Sequence, residues 1–261
     1  MPWLDTGAAA LRYDWRPGGA TTLLLLHEMG GSLESWDALV ACLPPDFGVL
    51  RHDQRGGGMS ERPPGPLRME DQGRDAIALM DALGIARVVA VGTAVGGALA
   101  LHLAAAHPTR VRAVVATSPA TGVAADARAS LLANADRMER EGTRGAVDAG
   151  LDRGWPAVLR DDPARFAATR AQRLAASAEG WAATMRMLAG LDMQSALASI
   201  ACPALILAGE HDLTRPPAAV APVAAAIPGA TFRTLPSGHF MALQTPDLLA
   251  RHVTEWVAAL P

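Results

Sequence analysis

The sequence predicts an α/β protein with a mostly parallel central sheet flanked by helices and a helical insertion past its middle. Three observations carry that expectation. Short apolar runs of strand length alternate with longer helical patterns, the order expected of a parallel sheet covered by helices. The runs are nearly continuous in Leu, Val and Ala, as strands buried on both faces require. Between Ala120 and Ser199 no strand-like run occurs, and Ala, Arg, Met and Trp recur at helical spacing instead.

Taken in chain order, LRYDW (11–15) and TLLLLH (22–27) read as the first two strands, and residues 35–42 as a helix. VLRHD (49–53) is the next strand, and a helix over 68–83 is closed by Gly84. VVAV (88–91) precedes a helix over 95–106 that stops before Pro108. VRAVVA (111–116) is the fifth strand. The stretch that follows, with ASLLANADRMEREG, RFAATRAQRLAAS and GWAATMRMLAGL, is helical throughout. ALILA (204–208) and TFRTL (231–235) complete the strands, with helices over 217–226 and 246–259. Residues 1–120 and 200–261 therefore make one core. Residues 121–199 are read as a lid over the crevice at the strand ends, where open α/β sheets bind ligands, with a separate domain as the alternative.

Composition narrows the function. The chain has 261 residues, half of them hydrophobic, and a formal charge of −3, so no basic footprint argues for nucleic acid or an anionic membrane. All 23 basic residues are Arg, which excludes lysine Schiff-base chemistry and a P-loop. Cys42 and Cys202, each in an apolar setting, give neither a disulfide framework nor a zinc site and lean towards the cytoplasm. MPWLDT lacks the basic and apolar regions of a signal peptide, and no uncharged apolar run of membrane-spanning length occurs. The expectation is a soluble cytoplasmic protein that acts on a small molecule without metal or organic cofactor.

The chemistry is concentrated in a few segments. The strand RVVAV runs into Gly92-Thr93-Ala94-Val95-Gly96-Gly97 and then a helix. That is the spacing of G-x-S-x-G, the nucleophile elbow, with alanine where serine would stand. A lone G-x-x-x-G also fits plain helix–strand packing. Further on, one strand ends in Gly209-Glu210-His211-Asp212 and the next in Gly238-His239. An acid after one strand and a histidine after the following one suit His239 as general base, with Asp212 holding its tautomer.

Two more segments fit. LLLLHEMGGSLESW resembles H-G-x-x-G, whose backbone supplies half of an oxyanion hole. RHDQRGGGMSERP resembles D-x-R-G-x-G-x-S, read as structural, with Asp53 and Arg55 bracing loops near the pocket. These blocks, in this order, resemble the α/β-hydrolase superfamily over nearly the whole chain, which implies an α/β-hydrolase fold. Within it, LMDALGIARVVAVGTAVGG, REGTRGAVDAGLDRGW and PALILAGEHDLTRPP are similar to the 3-oxoadipate enol-lactonase group.

The resemblance implies hydrolysis of a small ester or lactone, with position 94 as nucleophile, His239 and Asp212 completing the triad, and the N–H groups of Met29 and Val95 as oxyanion hole. Substrate-binding candidates are His27, Glu28, Trp155, Trp181 and Met185, while Phe166 and Met187 are further large residues of the insertion. Arg186 or another lid arginine would meet the carboxylate of an enol-lactone acid. Two departures stand out: Glu28 replaces the family's glycine, and Ala94 cannot attack a carbonyl. Three readings of Ala94 stay open. A serine was replaced by design, or the His239–Asp212 pair works alone on water or a substrate proton, or the site only binds a ligand.

Overall fold

The computed structural model describes residues 1–260 and contains an eight-stranded sheet ordered β1-β2-β4-β3-β5-β6-β7-β8. The strands are β1 (Trp3–Asp5), β2 (Ala10–Arg16), β3 (Thr22–Leu26), β4 (Gly48–His52), β5 (Val88–Thr93), β6 (Val111–Thr117), β7 (Ala204–Gly209) and β8 (Thr231–Leu235). β2 runs antiparallel to β1 and β4, and every pair from β4 across to β8 is parallel. The expected strands lie where the apolar runs place them. β1 is an addition: three residues on an exposed edge offer no apolar run to read.

Strand periodicity sorts the core into two layers. Leu24, Leu26, Ala90, Val114 and Ile206 face one side, with α2 (Met69–Ala82), α3 (Val95–Ala106) and α9 (Pro217–Ala225) packed against them. Leu23, Leu25, Val89, Val115 and Leu207 alternate to the other side, covered by α1 (Asp37–Cys42) and α11 (Pro246–Ala258). A 3-10 turn, Leu33–Trp36, leads into α1, and a short α10 (Met241–Gln244) precedes α11. Burying both faces of five of the six parallel strands, β3 to β7, explains why they read as unbroken apolar runs.

Between β6 and β7 lie α4 (Ala125–Glu141), α5 (Arg144–Gly154), α6 (Pro163–Ala175), α7 (Ala178–Gly190) and α8 (Gln194–Ser199). Asp162 caps α6 by accepting the Arg165 N–H at 2.9 Å, and Ser177 caps α7 by accepting that of Gly180 at 3.0 Å. Leu197 of α8, with Met193 and Ile200 beside it, joins the main core, whereas Ala135, Met138, Ala182 and Met185 of α4 and α7 form a cluster of their own.

The chain passes from β3 outward to β4 and then back across β3 to β5, so the connections diverge between β3 and β5. At such a switch point the loops leave a crevice at the carboxyl ends of the strands. The elbow and the loop after β3 meet there. Among the described residues no helix is long and apolar enough to cross a membrane.

Candidate active site

Ala94 joins β5 to α3 with φ 54° and ψ −112°. Only two residues other than glycine have positive φ among the described residues, Ala94 and Ser118. This conformation costs a residue with a Cβ about 1–3 kcal/mol and persists only where its surroundings enforce it. They do so here. The Ala94 N–H donates to the Thr117 carbonyl at 2.9 Å, and its own carbonyl accepts from Ala120 at 2.9 Å and Ala98 at 3.0 Å. A Cβ on Gly92 would collide with the Gly96 carbonyl, and one on Gly96 with the Leu26 carbonyl, so the elbow folds only with glycine at both positions.

His239 follows β8, and its backbone N–H donates to the Gly154 carbonyl at 2.8 Å. Its Nδ1 lies 2.7 Å from Asp212 Oδ2, with both side chains buried. The other oxygen of Asp212 accepts the backbone N–H groups of Thr214 and Arg215, each at 2.8 Å. Burial pushes the Asp212 carboxyl up, but His239 and the Arg215 N–H outweigh it and hold the group below the usual carboxylate range. An ionised Asp212 bonded to Nδ1 leaves Nε2 as the basic nitrogen of the ring.

A cavity of about 450 Å³ opens at these groups. Met29, Ala94, Val95 and His239 line it from the sheet side, and Leu131, Val147, Arg173 and Trp181 from the inserted helices. Val95 is the first residue of α3, where the helix provides no acceptor for its N–H. Among the described residues no cluster of three or more His, Cys, Asp or Glu side chains is arranged to hold a metal.

A model of the α/β hydrolase fold family matches residues 21–246. The chain belongs to that family. The crystal structure of the enol-lactonase from Burkholderia xenovorans LB400 superposes with a TM-score of 0.91 at 30% identity, covering 98% of this chain and 100% of that one. A thermophilic esterase from Thermogutta terrifontis, solved with malate bound, gives a TM-score of 0.89 at 26% identity over 97% and 94% of the two chains. Among curated proteins, 3-oxoadipate enol-lactonase 2 of Acinetobacter baylyi is 29% identical over 73% of this chain and 71% of its own length. The resemblance to the enol-lactonases carried by the sequence motifs is thus met in both sequence and structure.

Several expected site residues of this hydrolase lie elsewhere. His27 is buried behind the cavity wall. Its Nε2 accepts the Gln54 N–H at 3.0 Å, which leaves Nδ1 to donate to the Glu28 carbonyl at 2.8 Å. Trp155 is also off the cavity: it is 1% exposed, stacks edge-on against Phe166 and donates its indole N–H to the Leu159 carbonyl at 2.7 Å. Met185 fills the cluster between α4 and α7. A helical stripe of large residues must first satisfy its own core, and these do. Arg186 is corrected as well: it ion-pairs with Asp136 and Glu139 on the outer surface of the inserted helices.

The arginine of the inserted helices that does reach the cavity is Arg173, which sequence reasoning did not single out among so many arginines. Its Nη2 lies 2.5 Å from Glu28 Oε1, so the unexpected acid has a buried partner. Burial lowers the Arg173 pKa, while the charge of Glu28 opposes that shift. Asp53 and Arg55 act as braces. Asp53 accepts the backbone N–H groups of Leu33 and Met59 at 2.7 and 2.8 Å, and Arg55 makes two 2.6 Å bonds to Asp75.

Proposed function

We propose that this chain is a serine-type ester or lactone hydrolase in architecture, with one hydroxyl missing at its nucleophile position. The observation that carries the reading is the strained backbone of Ala94, held at φ 54° on the cavity that His239 lines. Such strain serves to present a side chain at the apex of the turn, and a methyl group has no use for it. A serine hydroxyl at this position would give its proton to His239 as it attacks the carbonyl carbon. Asp212 would hold the imidazolium that results, and the N–H groups of Met29 and Val95 would receive the oxyanion. The enol-lactonase and esterase relatives, together with a cavity of about 450 Å³, favour a small ester or lactone as substrate. Residues 121–199 serve as its lid.

A second reading draws on the buried Asp212–His239 bond, which survives without the serine. In it the pair directs water at an activated ester without an acyl-enzyme.

The test is Ala94→Ser, assayed beside the parent chain on p-nitrophenyl esters and small lactones. Loss of a triad nucleophile removes about a million-fold in turnover, so serine should restore a gain of several orders of magnitude. No gain refutes the serine-hydrolase reading. Turnover by the parent that disappears in His239→Ala supports the water reading, and binding without turnover in either form leaves a ligand-binding protein.

A further inference from the structure

A buried charge pair joins the lid to the loop after β3, and nothing in the proposed triad uses it. Arg173 lies in the last turn of α6, and its side chain is 5% exposed against 4% for that of Glu28. The guanidinium reaches three things at once. Nη2 meets Glu28 Oε1 at 2.5 Å, Nη1 donates to the Met29 carbonyl at 3.3 Å, and the group stacks 4.2 Å over the ring of Phe240, the neighbour of His239. Glu28 Oε1 also accepts from the Ser35 hydroxyl at 3.2 Å, which anchors the carboxylate to its own loop.

Two further lid side chains seat the same loop. Gln172 donates to the Ser32 hydroxyl at 3.3 Å. The ring of Trp181 lies so close over Gly30 that an added Cβ would sit 2.7 Å from it. The loop is therefore held from the lid by charge, hydrogen bond and ring contact together.

We propose that Glu28 and Arg173 form a latch and act as positioning residues, holding the loop that carries the Met29 N–H in its working position only while α6 is docked. This rests on the reading of that N–H as half of the oxyanion hole. It also accounts for a carboxylate where the family has glycine: a glycine offers α6 nothing to hold. A buried pair broken on one side strands a charge, so either single substitution should loosen both partners.

The first arm of the test needs no activity. Hydrogen exchange is compared in the parent chain, Glu28→Gln and Arg173→Met. The latch predicts that amides of residues 28–33 and of α6 exchange about tenfold faster together in either variant, while β3, β5 and α3 stay protected. Change on one side alone, no change, or uniform loosening of the whole chain overturns it.

The second arm uses the Ala94→Ser background. There each substitution should lower kcat about ten- to a hundredfold with KM within about twofold, short of the roughly hundred- to thousandfold cost of removing an oxyanion donor outright. The double variant Glu28→Gln/Arg173→Met removes both charges, so it should regain thermal stability without regaining kcat. Recovery of kcat along with stability would make the pair a packing element only. Should Ala94→Ser prove inactive, the proposed function fails while the exchange arm still decides the latch.

Discussion

At Ala94 the usual order of backbone preference should invert. Glycine in place of alanine inside a helix or strand normally costs about 0.5–1 kcal/mol through the entropy of the unfolded chain. Ala94, however, sits at φ 54° and ψ −112°, where a Cβ is penalised by about 1–3 kcal/mol. Ala94→Gly should therefore raise stability by about 1 kcal/mol, seen as a higher denaturant midpoint with an unchanged slope. A drop in midpoint would mean that the elbow is not strained, and the reading of Ala94 as a nucleophile position would lose its main support. His239, Asp212 and Ala94 stand out in the sequence because each lies just past a strand with a glycine within three residues. Arg173 does not, since one arginine among 23 carries no local mark of which way it points. Glu28 was visible as a departure, but its partner lies 145 residues away.

Among the elements, legibility followed burial. β3 through β7 were readable because their apolar runs are buried on both faces, and even β8, with four of five residues exposed, kept its strand through Thr and Phe. β1 and the 3-10 turn before α1 are too short to show a period. The helices of the insertion were plain, but which side chains face the cavity depends on how α4 to α7 pack on one another, and no single helix records that. The β5–α3 junction is where an element-scale rule bites hardest. The approach of α3 to β3 leaves no room for a Cβ at Gly96, because the Leu26 carbonyl occupies that space. Backbone cannot swing aside as a flexible side chain can. Gly96→Ala should thus cost about 3 kcal/mol or more in unfolding free energy. Gly145→Ala in α5 has nothing within 4 Å of the new Cβ and should be neutral or mildly stabilising, which makes it the matched control. Equal effects at the two positions would show that the close approach is not real.

Acid should unfold the molecule from a higher pH than its carboxylates alone would set, because it buries neutral histidine. His52 ends β4 at 1% exposure with neither ring nitrogen hydrogen-bonded. Burial, with the nearby His27 adding to it, pulls its pKa from 6.5 down to about 3. Burial lowers His102 as well. A folded pKa below the unfolded one means that the unfolded chain takes up the proton first. The stabilisation is therefore complete above pH 6.5 and is lost progressively as the pH falls towards 3. By pH 5 the loss from His52 alone amounts to about 2 kcal/mol. The carboxylates held low, Asp212 and Glu34, add their own loss further down, below about pH 4. Asp75, raised by burial against its pairing with Arg55, works the other way: its ionised form costs stability as the pH rises through the carboxylate range. Unfolding free energies at pH 7 and pH 5 should differ by about 2 kcal/mol more in the parent than in His52→Leu, which removes the titrating ring and keeps an apolar side chain. The same acid slope in both proteins would show that His52 takes up its proton in the folded state, and the acid sensitivity would then belong to the carboxylates.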